Sequence, residues 1–500
     1  MIQAFAPRIP FADRQWLLWE RTLYGAAQGQ RGRIVLVVGV LLVLLLISPL
    51  LPLLLILAVR APIGPKGAHA VGVRDVEHSI SVDGDNYCVR VRIFYPATSS
   101  PKANSAQLLL QWLRGIGQWL PAGPTSPVHA RYARAHALAL PFLPQWLKPY
   151  MASFSFLLRV ARLPTAVERD APAAGAKGTP PAAWPLALFS HGLCGTSAGY
   201  SSLCAELASQ GSVVLAVEHK DGSAIYSETS DGHAVPYAGG VGEAVTAKQL
   251  ERRTRELVAI AHGAVEIVSA ALGDDGLTID GACVTLAGHS FGGAAALRAA
   301  ASMTAVGGGG DAMPVRDVRS VLAVDPWLPG GVRGVFSGAG DGRPAAVPTL
   351  AVLTQSMMYE PNGEEIGAVM RSVAAHGAPA LYVEAKDTRH QEASDFVAIA
   401  YRTMRLFCMA GRLPPKHSFG LHAQLVGGFE GALGLGLAGT LMPSSRRIAE
   451  ELSNGAALGK IDPTSMSGGY LGDAYVVHGA ALPAGTRWER SCKEMLRAGA

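Results

Sequence analysis

Residues 287–296 read AGHSFGGAAA and join two stretches of opposite character. Before them, 282–288 is a short apolar run of strand type; after them, 292–301 is small, apolar and helix-forming. Few architectures accommodate a serine between a strand and a helix with glycines two places before and two after. The backbone must turn sharply at the serine, so the flanking positions must lack side chains for strand and helix to approach. The turn lifts the hydroxyl above a sheet and leaves the next N–H free at a helix start, where it can meet a developing anion. In a chain with 58 glycines the pattern alone can arise by chance. Its place at a strand-to-helix junction makes Ser290 a candidate nucleophile.

The chain around that junction alternates. Strand character recurs at 186–190, 212–218, 282–288, 320–325, 349–354 and 378–384, and helical periodicity at 197–210, 247–272, 363–375 and 393–408. Such alternation predicts an α/β fold, a mostly parallel sheet with helices on both faces. Upstream, YCVRVRIFYP (87–96) has period two, with Cys88, Arg90, Arg92 and Phe94 on one face and Val89, Val91, Ile93 and Tyr95 on the other. Residues 97–130 read as irregular, 138–160 as apolar but broken by prolines, and 171–183 as an Ala/Pro/Gly-rich loop. This places a catalytic domain at 70–412 and a Gly-rich extension packing on it at 413–500.

Charged residues make up 16% of the chain and hydrophobic ones 49%, a balance that supports a large core and excludes disorder. The net charge of +5 is spread out with no basic stripe, so nucleic acid is not an expected partner. Residues 34–59 are uncharged and apolar throughout, long enough to cross a bilayer. Five arginines (Arg8, Arg14, Arg21, Arg31, Arg33) precede them. The expectation is one N-terminal transmembrane helix, a signal anchor, with 1–33 cytosolic and the rest lumenal or extracellular in type II orientation. Secretion after signal cleavage is the alternative, disfavoured by the long segment before the span.

Six cysteines (Cys88, Cys194, Cys204, Cys283, Cys408, Cys492) show no C-x-x-C and no zinc spacing. Pairing of Cys194 with Cys204 is conceivable, and no disulfide is assigned. Gly434-Leu-Gly436-Leu-Ala-Gly439 is formally G-x-G-x-x-G, yet no strand precedes it and no acidic residue follows at the right distance, so it reads as packing or loop.

A nucleophilic serine needs a base, and the base an orienting acid. In the α/β-hydrolase arrangement these follow the serine in the order acid, then histidine, on loops after later strands. Asp325 ends the first strand after the elbow helix, in VLAVDPW, and His390 sits in DTRHQEASDF after the strand at 378–384. His191, His219 and His289 precede the serine and have the wrong order. Asp387 and Glu360 are rivals for the acid. A second oxyanion donor is expected from a loop after an earlier strand. LALFSHGLCGTS supplies His191-Gly192-Leu193, whose Leu193 N–H would join that of Phe291.

FSHGL (189–193), VVLAVEHKDGSA (213–224), GHSFGG (288–293), AVDPW (323–327) and HQEASDF (390–396) together resemble the platelet-activating factor acetylhydrolases of the plasma and intracellular type-two kind. The resemblance runs over about residues 85–410. It implies an α/β-hydrolase fold and a calcium-independent phospholipase that removes short or oxidised sn-2 acyl groups from phospholipids in membranes or lipid particles. Carried over, it makes Ser290 the nucleophile, Asp325 the acid, His390 the base, and Leu193 and Phe291 the oxyanion amides. Trp327 and Gln391 would line the site, and neither metal nor organic cofactor is expected. Two other readings stay open: a hydrolase of this fold acting on other lipid or polyester substrates, and an inactive membrane-tethered binding protein.

Overall fold

The computed structural model describes residues 63–97, 119–138, 158, 183–305, 317–329, 347–432 and 475–481, with breaks of one to four residues inside these ranges. All belong to one compact unit, 61–500. The predicted span at 34–59 and most of 138–160 lie outside the described residues. Among those described, no helix is long and apolar enough to cross a membrane.

The first two strands, β1 (Ala70–Val82) and β2 (Asp85–Ala97), form a hairpin. It turns through Asp83 and Gly84, both left-handed at φ 57° and 82°, the conformation that Asp-Gly favours in tight hairpins. β2 is buried on both faces from Val89 onward: Val89, Val91, Ile93 and Tyr95 belong to one core cluster of the sheet and Phe94 to the cluster on the other side. Two arginines inside it must therefore be paired. Arg92 makes a two-point contact with Asp75, its cross-strand partner, at 2.7 and 2.8 Å. Arg90 reaches Glu77, also directly opposite, at 2.9 Å.

Helix α1 (Pro127–Leu138) begins in the stretch read as irregular. Its buried positions, His129, Tyr132, Ala133 and His136, have helical spacing, but two histidines and an alanine make a faint apolar stripe. The alternating part follows: β3 (Trp184–Ser190), α2 (Ser201–Ser209), β4 (Val213–Glu218), a small hairpin of β5 (Tyr226–Glu228) and β6 (Ala234–Pro236), and α3 (Glu243–Leu272). Then come β7 (Ile279–His289), α4 (Phe291–Ala305), β8 (Asp317–Val324), β9 (Thr349–Thr354), α5 (Pro361–Ala375), β10 (Ala380–Ala385) and α6 (Asp395–Leu406). The C-terminal extension adds α7 (Pro415–Ala432) and β11 (Tyr475–Ala481).

The main sheet runs β1-β2-β4-β3-β7-β8-β9-β10-β11, parallel from β4 to β10 and antiparallel at both edges. One face buries the apolar sides of α3, α4 and α5; the other buries α2 and α7. The extension is thus built into the unit, with Phe419, Leu425, Val426 and Phe429 buried and β11 pairing with β10. Glycines inside α7 lower its helix propensity, which hides it in the sequence. Cys194 and Cys204, conceivable as a pair, are separate thiols, and Cys204 is buried.

The chain leaves β3 for β4 on one side and later places β7 on the other side of β3. Such a switch point opens a crevice beyond the strand ends, where open α/β sheets bind their ligands. The turn carrying Ser290 follows β7, and His191-Gly192-Leu193 follows β3.

Candidate active site

Ser290 stands between the end of β7 and the start of α4 with φ at 56°, a strained left-handed conformation for a residue with a side chain. Neighbouring sterics enforce the two glycines. A Cβ on Gly288 would lie 2.2 Å from the Gly292 carbonyl oxygen, and one on Gly292 would lie 2.0 Å from that of Ser190. The turn is pinned to the next strand: the Ser290 N–H donates to the Val324 carbonyl at 3.0 Å, and the Ser290 carbonyl accepts from Trp327 N–H at 3.0 Å.

His390 opens a short helical turn (His390–Ala393) after β10. Its Nε2 lies 2.7 Å from Ser290 Oγ and its Nδ1 2.6 Å from Asp325 Oδ2. Asp325 is buried, with φ at 46°. Thr354 holds both its oxygens, the N–H donating to Oδ1 at 2.7 Å and the hydroxyl to Oδ2 at 2.8 Å. That leaves Oδ2 to accept the His390 Nδ1–H. Of the rival acids, Asp387 is exposed and uses its carbonyl oxygen to accept from Arg412 N–H, and Glu360 lies outside the described residues.

The loop after β3 reaches the same place. A Cβ on Gly192 would sit 3.2 Å from Ser290 Cβ and 2.8 Å from Tyr200 Oη, so close approach demands glycine there. Among the described residues the Leu193 N–H finds no acceptor. Phe291 is the first residue of α4, so its N–H has no partner inside the helix. Trp327 is half-buried, its ring centroid 6.0 Å from that of Phe291. Gln391 is also half-buried; its side-chain oxygen accepts from Ser394 Oγ at 3.4 Å, within its own turn.

His289, set aside for its order in the chain, lies beside His390 with ring centroids 4.8 Å apart. Its Nδ1 accepts from the Tyr200 hydroxyl at 2.9 Å and its Nε2–H donates to the His390 carbonyl at 2.8 Å. Tyr200 in turn accepts from Gly192 N–H at 3.1 Å. A hydrogen-bonded line thus runs from the β3 loop to the backbone of His390. His289, Asp325 and His390 form a cluster of a size that could hold a metal ion, their donor atoms within 4.8 Å of one another, yet each of those atoms already has a hydrogen-bond partner.

Burial, then the neighbouring His390, pushes the His289 pKa down to about 3. The folded protein therefore keeps this ring neutral while the unfolded chain protonates it below about 6.5. Its contribution to stability is complete above that pH and is lost as pH falls towards 3. In urea unfolding, the stability advantage of wild type over His289→Gln is expected to shrink by roughly 2 kcal/mol from pH 7.5 to pH 5. A difference that does not change with pH contradicts it.

Beneath the β3 loop lies a second serine, histidine and carboxylate. Ser190 Oγ is 2.8 Å from His219 Nε2, and His219 Nδ1 is 2.5 Å from Glu256 Oε2. All three are fully buried. Burial pushes the His219 pKa well down and that of Glu256 up. No substrate carbonyl can approach a serine with no exposed surface, so the order of groups alone does not make a site.

Thr354, Tyr200 and Arg253 also join these networks and fall in none of the motifs read from the sequence, while His289 was weighed there only as a base. Arg253 did leave a signal: a charge on the face of α3 that otherwise presents Leu250, Leu257 and Ile260 to the core.

The chain resembles the platelet-activating factor acetylhydrolase family: the model of "Platelet-activating factor acetylhydrolase, isoform II" matches residues 131–255. A "Putative phospholipase A2" of Schizosaccharomyces pombe is 57% identical over 47 residues, 9% of this chain and 11% of that protein. A "Platelet-activating factor acetylhydrolase" of Gallus gallus is 56% identical over 41 residues, 8% of this chain and 10% of that one. The alignments thus span no more than 11% of either relative's length. A ferulic acid esterase from Streptomyces cinnamoneus superposes with a TM-score of 0.51 at 16% identity, covering 77% of this chain and 95% of that structure. At that identity the likeness concerns the α/β fold alone.

Proposed function

We propose that this chain is a serine carboxylic ester hydrolase of α/β-hydrolase fold that removes short or oxidised acyl groups from the sn-2 position of phosphoglycerides. The observation that carries the chemistry is the hydrogen-bonded line Asp325–His390–Ser290, at 2.6 and 2.7 Å, with its histidine half-buried and its serine at the turn after β7, beside the topological switch point. The substrate class rests on the family resemblance.

In this scheme His390 Nε2 takes the proton from Ser290 Oγ as that oxygen attacks the ester carbonyl. Asp325 keeps the Nδ1–H pointed away from the serine and stabilises the imidazolium that forms. The Leu193 and Phe291 amides receive the charge on the former carbonyl oxygen. Collapse of the tetrahedral adduct returns the proton through His390 to the leaving lysophospholipid oxygen. Water, deprotonated by His390, then releases the acyl group from Ser290. Trp327 and Gln391 are assigned to the walls of the acyl site. The apolar 34–59 stretch is assigned as the anchor that keeps the enzyme on a membrane, with the catalytic unit on the lumenal or outer side.

The experiment is acetate release from an sn-2-acetyl ether phospholipid by the full chain in detergent, with EDTA present, beside long-chain phospholipids and a nitrophenyl ester. Release from the acetyl phospholipid undiminished by EDTA is expected. Cleavage of the nitrophenyl ester alone would retain the serine chemistry and overturn the substrate class. Cleavage of neither by folded protein would favour a binding protein.

A further inference from the structure

Arg253 is a charged residue that the scheme above does not use. It projects from α3 into the core behind the β3 loop, and its side chain and that of its partner Asp221 are 0% and 1% exposed. Burying a guanidinium is costly unless its donors are matched, and an apolar residue would suit this helix face better. The donors are matched by a built site. Nε donates to Asp221 Oδ2 at 3.1 Å and to Ser223 Oγ at 2.9 Å, and Nη2 to Ser223 Oγ at 2.5 Å. Nη1 donates to the carbonyl oxygen of His191, and the guanidinium carbon lies 4.8 Å from the centroid of the Phe291 ring.

These last two contacts give the residue its meaning. His191 stands two places before Leu193, and Phe291 is the residue after the serine. One rigid, planar cation therefore touches both segments that carry the oxyanion amides. The Ser190–His219–Glu256 chain braces the root of the same loop. Ser190 Oγ lies 3.5 Å from Arg253 Nη1, and the His219 N–H donates to His191 Nε2 at 3.4 Å.

We propose that Arg253 is a positioning residue that sets the separation of the Leu193 and Phe291 amides, so that the oxyanion hole is assembled before substrate arrives. The proposal rests on the reading of Ser290 as nucleophile and of these amides as its oxyanion donors. An oxyanion hole acts on the transition state far more than on the bound substrate. Displacing it therefore lowers kcat and leaves KM nearly unchanged. Lysine keeps the charge at 253 but lacks the planar fork that spans the loop carbonyl, Ser223 and Asp221 together.

The test compares wild type, Arg253→Lys and Ser223→Ala as full chains in detergent, with active sites counted by end-point labelling with a fluorophosphonate. Three quantities are read on a nitrophenyl acetate assay: kcat per labelled site, KM, and inhibition by a trifluoromethyl ketone that forms a tetrahedral adduct on the serine. Arg253→Lys is expected to lower kcat per site about 10- to 100-fold, with KM within about twofold and the ketone weakened by the same factor as kcat. Ser223→Ala should move kcat and ketone binding in the same direction by less. A merely structural role predicts fewer labelled sites with kcat per site and ketone affinity unchanged, and that result overturns the proposal. If Arg253→Lys does not fold, unchanged kcat and ketone affinity in Ser223→Ala overturn it equally. A wild type that is never labelled at Ser290 and cleaves no ester would instead defeat the underlying reading of the site.

Discussion

Replacing Ser290 by alanine is expected to lower turnover of a short-chain sn-2 ester about a millionfold, the scale found when a triad nucleophile is removed from a serine protease. Alanine keeps the Cβ, so the left-handed backbone at φ 56° is no more strained than before. The tight approaches of Gly288 and Gly292 are untouched. The loss is therefore chemical, and the melting temperature should stay near that of wild type. Labelling by a fluorophosphonate should vanish in the same variant. This second readout matters because Ser190 remains, hydrogen-bonded to its own histidine and carboxylate. With no exposed surface it should take up no label. Steady-state hydrolysis, with labelled protein resolved by mass, checks both expectations. Label persisting on the variant, or activity within a hundredfold of wild type, would remove Ser290 from its role.

Asp325→Asn should lower kcat by about 10,000-fold, the size of effect seen when the acid of a serine protease triad is made an amide. The physical cause is the histidine tautomer. Thr354 N–H donates to Oδ1 and the Thr354 hydroxyl to Oδ2, which fixes the carboxylate and turns Oδ2 towards His390 Nδ1. An asparagine whose oxygen keeps the Thr354 N–H presents its NH₂ to that nitrogen, and the Thr354 hydroxyl turns its hydrogen to Ser356 Oγ, 3.0 Å away. His390 must then accept at Nδ1 and carry its proton on Nε2, facing the serine, where it cannot take a second one. Stability should change little, since the amide oxygen still accepts from Thr354 N–H. Kinetics on a nitrophenyl ester beside thermal unfolding separates the two effects. A variant as stable as wild type and within tenfold of its kcat would return the acid role to another residue.

Much of this molecule was readable because its signals are local. Short apolar runs of strand character, alternating with helical periodicity, marked β3, β4, β7, β8, β9 and β10 to within a few residues, and with them the parallel sheet. The elements that escaped lack the local signal. In α1 the core-facing positions are held by histidine and tyrosine, in α7 glycines dilute the helix, and β11 lies in the Gly-rich tail. At Gly192 the fold asks for glycine because Tyr200 and Ser290, the latter far from it in the chain, leave no room for a Cβ.

Local sterics and hydropathy determine the strand, turn and helix that present Ser290, since every group involved lies within a few residues of the next. The chain order that singles out Asp325 and His390 is likewise written in one dimension. That His390 meets Ser290 and Asp325, 100 and 65 residues away, was decided only by the order in which the strands pair. The tertiary structure alone also turned Thr354 onto Asp325, joined Tyr200 and His289 to the backbone of His390, and brought Arg253 against both His191 and Phe291. Those contacts join polar groups from different elements, and a buried polar group keeps its place only where all of its partners converge.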